Sequence, residues 1–187
     1  MPSTSHMCLN LVTMSQLYLH TEPPLHLGRV DGHQPITRSV LGAFDREFGG
    51  PNMHQSHLEL GRLENIWITR EAIPEIDPLL TLANQAARTI LGRDDLRATF
   101  WFNRMLPGER TARHNHEEGD ELLSGVYYLE TPPDCGDLLI YHTGGPTHIP
   151  PREGRFIFFA PRLAHAVEEN RSGQRRLSVA FNFGPEE

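Results

Sequence analysis

The most informative part of the chain is residues 122–141, LLSGVYYLETPPDCGDLLIY. Two apolar runs, 122–130 and 137–141, flank a cluster of Thr, Pro, Asp, Cys and Gly. Runs of aromatic and aliphatic residues of this length are typical of strands, and Pro, Asp and Gly favour turns. This part of the sequence therefore predicts two short strands joined by a turn.

The same pattern continues on both sides of these two runs. Further short β-rich runs, separated by Gly, Pro, Asp or Asn, cover 98–103, 111–116, 147–149, 155–160, 164–168 and 176–183. Eight short strands in roughly 90 residues are typical of a jelly roll or another small antiparallel barrel. We therefore predict that 96–187 form the barrel core.

The preceding residues, 1–95, predict two helices. In 36–48 the apolar residues recur at helical spacing before a Gly-Gly pair. In the second helix Asp77 is the expected N-cap, Pro78 lies in the first turn and Gly92 ends the pattern. Between the helices, 58–63 and 65–69 are predicted as strands.

No repeat or linker separates the two halves. We therefore expect 1–187 to be a single domain, with the helices packed on one face of the barrel.

Composition disfavours several classes of partner. The net charge is −7 and no basic cluster stands out, so nucleic-acid binding is not expected. No apolar run approaches the roughly 20 residues of a membrane helix, so no membrane partner is expected. The first 28 residues contain no Lys or Arg, and Cys8 and Cys135 are the only cysteines, which favours a cytoplasmic protein. A homodimer is compatible with this composition.

All 17 basic residues of the chain are Arg. Without a lysine, the chain cannot form the Schiff base of pyridoxal-phosphate enzymes or class I aldolases. It also lacks the lysine of a Walker motif and has no GxGxxG turn. These classes of enzyme and nucleotide site are therefore excluded or unsupported.

Two histidines separated by one residue, His114 and His116, lie in the run 111–116. Side chains two apart on a strand point to the same face, so both imidazoles can converge on one point. Imidazole nitrogens suit iron, copper, nickel and zinc. His165, in the run 164–168, is the candidate third ligand. The three residues predict a metal centre, and the ordinary alternative is an exposed polar face.

The last predicted strand carries a candidate anion site. Arg176 and Ser178 share a face of that strand, and a guanidinium can hold a carboxylate through two parallel hydrogen bonds. The hydroxyl of Tyr128 could bind the same carboxylate. The ordinary alternatives are a surface ion pair for Arg176 and core packing for Tyr128.

Together these residues resemble the 2-oxoglutarate/Fe(II)-dependent oxygenases, especially the small prolyl-hydroxylase-like branch. The resemblance runs from Trp101 to Phe183, and its elements follow in the family's order: Trp101-Phe102-Asn103, His114-Asn115-His116, 123–129, Gly154, Pro161, His165 and Arg176-Leu177-Ser178. In that family a His-x-Asp/Glu pair and a distal His bind the metal. An Arg about ten residues further on binds the far carboxylate of 2-oxoglutarate, and here Arg176 lies 11 residues after His165.

The resemblance implies a mainly β protein with flanking helices, folded as a double-stranded β-helix. It implies Fe(II) on His114, His116 and His165, with 2-oxoglutarate as cosubstrate on Arg176, Tyr128 and Ser178. Asn103 is a further candidate for binding cosubstrate or substrate. The implied activity is that of a dioxygenase that hydroxylates a small molecule, amino acid or peptidyl residue with O2, releasing succinate and CO2.

One position departs from the family pattern, because His116 stands where the family has Asp or Glu. Three neutral imidazoles leave a metal site more positive than two imidazoles and a carboxylate. A carboxylate from Asp120 or Glu121 could instead reach the metal, leaving one of the paired histidines outside the ligand set.

A cupin is the alternative interpretation of the same histidines. Gly108, His114, His116 and Glu121 match the spacing of the first cupin motif, which gives a metal site of three His and one Glu. Its functions would range from dioxygenase to isomerase to binding of a small ligand. The sequence Ala160-Pro161-Arg162 breaks the second cupin motif, and a cupin has no need of Arg176. A third alternative is a barrel that only binds a ligand.

Overall fold

The computed structural model describes residues 15–116 and 119–186, so Cys8 lies outside the described part of the chain. Its helices are α1 (Gln34–Glu47) and α2 (Asp77–Leu91), and a 3-10 turn at Pro74–Ile76 leads into α2. Its strands are β1 (Gln16–Glu22), β2 (Leu25–Asp31), β3 (Met53–Glu59), β4 (Arg62–Ile68), β5 (Leu96–Met105), β6 (Thr111–His114), β7 (Leu123–Glu130), β8 (Leu138–His142), β9 (Gly145–Ile149), β10 (Arg155–Phe159), β11 (His165–Val167) and β12 (Arg176–Pro185).

The strands form two antiparallel sheets. The larger sheet has the order β1-β2-β10-β7-β12-β5-β4-β3, and the smaller has the order β6-β11-β8-β9. The two face each other across an apolar layer that includes Tyr128, Ile140 and Ile157. The fold is a double-stranded β-helix with flanking helices, as the sequence predicted.

Both predicted helices are present: α1 is shifted by one or two residues from the predicted 36–48, and α2 ends where the sequence predicted. Helix α2 ends at Gly92, whose left-handed φ of 67° suits glycine. At the other end the N-cap is Ile76 and no side chain caps the helix, so the expectation that Asp77 is the cap is wrong. Asp77 instead accepts a hydrogen bond from Arg70 at 2.6 Å. No helix in the described ranges combines the length and the apolar character needed to cross a bilayer.

The strands before the barrel core were predicted less well. The run 58–63 is not one strand, because a tight turn at Leu60-Gly61 divides it between β3 and β4. The β1–β2 hairpin was not predicted, and it extends the larger sheet beyond β10. The β3–β4 hairpin extends the other edge, where Asn65 pairs with Asn103 on β5. Strands from the first part of the chain therefore lie at both edges of the larger sheet.

The two helices cover the outer face of the larger sheet. Phe44 of α1 packs on Phe102 of β5 with ring centroids 4.8 Å apart, and Leu79 and Ala83 of α2 belong to the same core. A close approach also explains the glycine in the middle of β7, because a Cβ on Gly125 would lie 2.7 Å from the Phe158 ring. This packing fixes the larger sheet, whose inner face forms one side of the candidate site.

A buried hydrogen bond joins α1 to the sheet, and its removal is a test of this packing. The Tyr127 hydroxyl lies 3.0 Å from Thr37 Oγ1, which is itself 3.3 Å from His33 Nδ1. We expect Tyr127→Phe to lower the free energy of unfolding by about 1 kcal/mol, since Thr37 keeps a partner in His33. Urea unfolding measures the change, and Tyr18→Phe on the exposed β1 is the matched control. Equal midpoints for the two variants would contradict the prediction.

Candidate metal centre and its cavity

A cavity of about 440 Å³ lies between the two sheets. The smaller sheet and the segments next to it contribute three histidines to its wall, His114, His116 and His165. Side chains from β4, β5, β7 and β12 of the larger sheet line the opposite side of the cavity. The cavity therefore contains most of the chemically active side chains that the sequence singled out.

The three imidazoles lie together. The ring centroids of His114 and His165 are 4.2 Å apart, and each lies 5.2 Å from that of His116. One nitrogen from each ring lies within 4.8 Å of a nitrogen of the other two, a spacing at which one cation can bind all three. His165 comes from β11, which pairs with β6 so that His165 stands directly opposite His114. Strand pairing thus unites two histidines 51 positions apart in the sequence.

The backbone conformation that brings His116 to the other two histidines was not predicted from the sequence. Strand β6 ends at His114, and Asn115 and His116 follow in irregular backbone. The amide of His116 donates to the carbonyl oxygen of Pro161 at 3.0 Å, which fixes the backbone there. The expectation that both histidines project from one face of a strand is therefore wrong, although both rings line the cavity.

Two of the histidines have their tautomer set by the backbone. His114 Nδ1 lies 2.9 Å from the carbonyl oxygen of Ala112, and His165 Nδ1 lies 3.0 Å from that of Leu163. A carbonyl oxygen only accepts hydrogen bonds, so Nδ1 carries the proton in both rings. The lone pair of Nε2 is then available to a metal, an arrangement common in metal sites.

The protonation states of His116 and His165 also suit a metal. Burial lowers the pKa of His116 to about 4 and that of His165 to about 3, and the neighbouring His114 ring adds to both shifts. Both imidazoles are therefore neutral at neutral pH, which is the form that binds a cation.

Neither of the alternative carboxylates belongs to this group. Asp120 forms an ion pair with Arg97 at the edge of the cavity. Glu121 lines the cavity and lies close enough to His116 to raise its pKa against the effect of burial, but its oxygens are not part of the three-histidine cluster.

The far end of the cavity contains a buried cation. Arg176 is 3% exposed, its Nη1 lies 3.0 Å from the sulfur of Met105, and its Nε has no hydrogen-bond partner. The described residues provide no carboxylate in an ion pair with it. A buried guanidinium without an anion is costly, so this end of the cavity suits a negatively charged ligand.

Tyr128 and Ser178 flank this guanidinium on paired strands. The Arg176 guanidinium lies 5.5 Å from the centre of the Tyr128 ring, and the fully buried Tyr128 hydroxyl forms no hydrogen bond. Burial raises the pKa of Tyr128, which Arg176 offsets in part, so the phenol keeps its proton as a donor. Asn103 lies on the neighbouring strand and donates to the carbonyl oxygen of Glu64 at 3.2 Å.

The β3–β4 hairpin adds cavity residues to which sequence reasoning assigned no role. Trp67 packs on Trp101 with ring centroids 5.2 Å apart, and His57 lies 6.0 Å from His114, ring to ring. His57 has a left-handed φ of 62°, uncommon for a residue other than glycine. Glu64 is 2% exposed and pairs with Arg62 at 2.8 Å; burial raises its pKa against the opposing charge of Arg62. No local motif marks these residues, because only the hairpin's position places them here.

Two further histidines and Cys135 lie outside the cavity. His142 and His148 do not line the cavity, and His148 instead lies near the carboxylates of Asp137 and Glu168 at the surface. Cys135 is buried, and burial raises the pKa of its thiol, which leaves it an unreactive neutral group.

The residues of the cavity fit a metal ion and an organic anion together. Three imidazoles with nitrogens within 4.8 Å of one another suit iron, and the unpaired Arg176 suits a carboxylate. Residues 100–184 match the 2OG-Fe(II) oxygenase superfamily. This part of the chain is a 2OG-Fe(II) oxygenase domain. The enzyme's cofactors are Fe(II) and 2-oxoglutarate.

Solved structures share the fold of this oxygenase at low sequence identity. A Pseudomonas putida prolyl-4-hydroxylase is 20% identical, with a TM-score of 0.65 over 82% of this chain and 88% of that chain. A Trichoplax adhaerens prolyl hydroxylase, in complex with a hypoxia inducible factor peptide fragment, is 18% identical with a TM-score of 0.66 over 81% and 79%.

The epimerase SnoN from nogalamycin biosynthesis, in complex with Fe3+ and alpha ketoglutarate, is 13% identical with a TM-score of 0.64 over 81% of this chain and 75% of that chain. No curated protein sequence matches the oxygenase. These structures establish a shared fold, and they span more than one reaction.

Proposed function

We propose that the oxygenase hydroxylates a small molecule, an amino acid or a peptidyl residue, using Fe(II) held by His114, His116 and His165. The observation that carries the proposal is the buried, unpaired Arg176 in the same cavity as the three imidazoles. A cavity with a metal site alone would suit a cupin equally well. The second, anion-binding end favours an enzyme that binds a carboxylate cosubstrate.

When bound, iron and 2-oxoglutarate supply the oxidative chemistry: one oxygen atom of O2 enters a substrate C–H bond as a hydroxyl, and the other enters succinate as CO2 leaves. The chain's part is to bind and orient. The carbonyl oxygens of Ala112 and Leu163 hold the rings of His114 and His165 in the tautomer that exposes Nε2.

Arg176, Tyr128 and Ser178 would hold the carboxylate of 2-oxoglutarate that lies away from the metal. The guanidinium supplies parallel N–H donors, and the neutral phenol supplies one O–H donor. Asn103 is proposed to contact the cosubstrate or the substrate, since it lies beside Ser178 across the β5–β12 pair. We also propose that residues 1–187 form one domain, because the helices share a core with the larger sheet.

Visible absorption spectroscopy tests the proposed function. Purified protein mixed with Fe(II) and 2-oxoglutarate without oxygen is expected to develop the weak visible charge-transfer band of the chelate. Admitting O2 with a substrate should then yield succinate and CO2 in equal amounts. Bound iron with no band on addition of 2-oxoglutarate would contradict the proposal and favour the cupin interpretation.

A further inference from the structure

Two of the charged side chains that line the cavity have no oppositely charged partner among the described residues. Glu64 is neutralised by Arg62, and Arg97 by Asp120. Arg176 and Glu121 also line the cavity, and neither forms an ion pair within the described part of the chain. The two unpaired groups carry opposite charges.

These two groups are too far apart to neutralise each other. Arg176 begins β12, whereas Glu121 lies two residues before the start of β7. The amide of Leu122, next to Glu121, donates to the carbonyl oxygen of Phe183 near the other end of β12. Arg176 and Phe183 are seven positions apart on β12, which is about 23 Å at the usual rise per residue. Each group must therefore be matched by a ligand or by water.

Ligand groups of opposite charge suit Arg176 and Glu121. The carboxylate of 2-oxoglutarate suits Arg176, but a second carboxylate beside Glu121 would be repelled. Glu121 lies at the end of the cavity near His116, where the substrate must approach the metal. A substrate group that lies beside Glu121 would therefore bind more favourably if it carried a positive charge.

The wall beside His116 is aromatic and also favours a cation. The Trp101 ring lies 6.2 Å from His116, and the Trp67 ring lies 5.2 Å from Trp101. The faces of indole rings attract ammonium and guanidinium groups through their quadrupole. A carboxylate and two indoles in one cavity are a recognition set for an organic cation.

We propose that the primary substrate carries an alkylammonium or guanidinium group, which binds Glu121 beside Trp101 and Trp67. The inference rests on the proposed function and goes beyond it by naming the substrate's charge. The same chemistry could come from a free amine or from the side chain of a peptide-linked basic residue.

The experiment compares probes that differ only in charge. For a free amine the pair is n-pentylamine and n-pentanol; for peptide-linked residues the pairs are the Nα-acetyl methylamides of L-lysine and L-norleucine, and of L-arginine and L-citrulline. Binding to the anaerobic Fe(II)–2-oxoglutarate protein is measured by calorimetry, and succinate formation is measured after O2 is admitted. We expect the cationic member of at least one pair to bind about tenfold tighter or more, and that pair identifies the source.

The variant Glu121→Gln should remove this difference by weakening binding of the cation about tenfold, since it keeps the shape of the side chain and loses its charge. Glu153→Gln, on the exposed surface outside the cavity, is the control and should keep the preference. Neutral probes that bind as well as the cations, or no binding of any cation, would overturn the proposal if the visible band still forms. Absence of the band would instead refute the proposed function, and the substrate inference with it.

Discussion

Replacing His165 by alanine is expected to abolish iron binding at micromolar metal and, with it, succinate formation. The substitution removes one of three nitrogens that lie within 4.8 Å of one another. Loss of a residue that only orients a ligand typically weakens metal binding by about 10- to 100-fold, so loss of a ligand itself should exceed about a hundredfold. Iron content after anaerobic reconstitution and desalting measures the effect.

Two further variants separate metal binding from folding. His165 is 7% exposed and packs against Phe159, with ring centroids 4.8 Å apart, so alanine also leaves a gap. His165→Gln fills more of that space, and it should lose iron as well while its metal-free melting temperature stays closer to that of the parent. His20→Ala, on the exposed β1, is the matched control and should bind iron normally. An iron-loaded His165→Ala protein would show that the three-histidine site is wrong.

Replacing Arg176 by alanine is expected to weaken 2-oxoglutarate binding by about a hundredfold or more while leaving iron bound. Truncating one member of a buried charge pair commonly costs about 2–5 kcal/mol, and Arg176 is the only cavity cation proposed to face that carboxylate. The visible band should therefore disappear at cosubstrate concentrations that saturate the parent enzyme. Titrating 2-oxoglutarate while following the band gives the dissociation constant directly.

The conservative variant tests the geometry of this contact. A lysine keeps the charge but supplies a point donor in place of the planar fork, so Arg176→Lys should recover only part of the affinity. Arg171→Ala, an exposed arginine in the loop before β12, is the control for loss of positive charge. If 2-oxoglutarate binds Arg176→Ala as tightly as the parent, the anion-binding role of Arg176 is excluded.

Two adjacent arginines show how the register of one strand assigns different roles. Arg175 faces outward, where it donates two hydrogen bonds to Glu130 at 2.6 and 2.9 Å and two to Asp45 at 2.6 and 3.4 Å. Arg176 faces inward and has no carboxylate partner among the described residues. The surface ion pair that was the ordinary alternative for Arg176 is thus made by its neighbour.

The sequence by itself determined the barrel and the candidates for its chemistry. The punctuated β-rich runs predicted the strands of the core, because a strand and its turns depend on residues close together in the chain. His-x-His, a distal His and an Arg 11 residues later are likewise a pattern of positions, which a sequence displays directly.

Only the tertiary structure decided which side chains share the cavity and how they reach it. His116 lies beyond the end of its strand and is held by Pro161, and the β3–β4 hairpin brings Trp67 and His57 beside the histidines. Contacts between residues so distant in sequence depend on strand order and sheet edges, which local periodicity does not encode. Only the tertiary structure likewise shows that Glu121 has no ion-pair partner among the described residues, because ion pairs depend on which side chains the fold brings together.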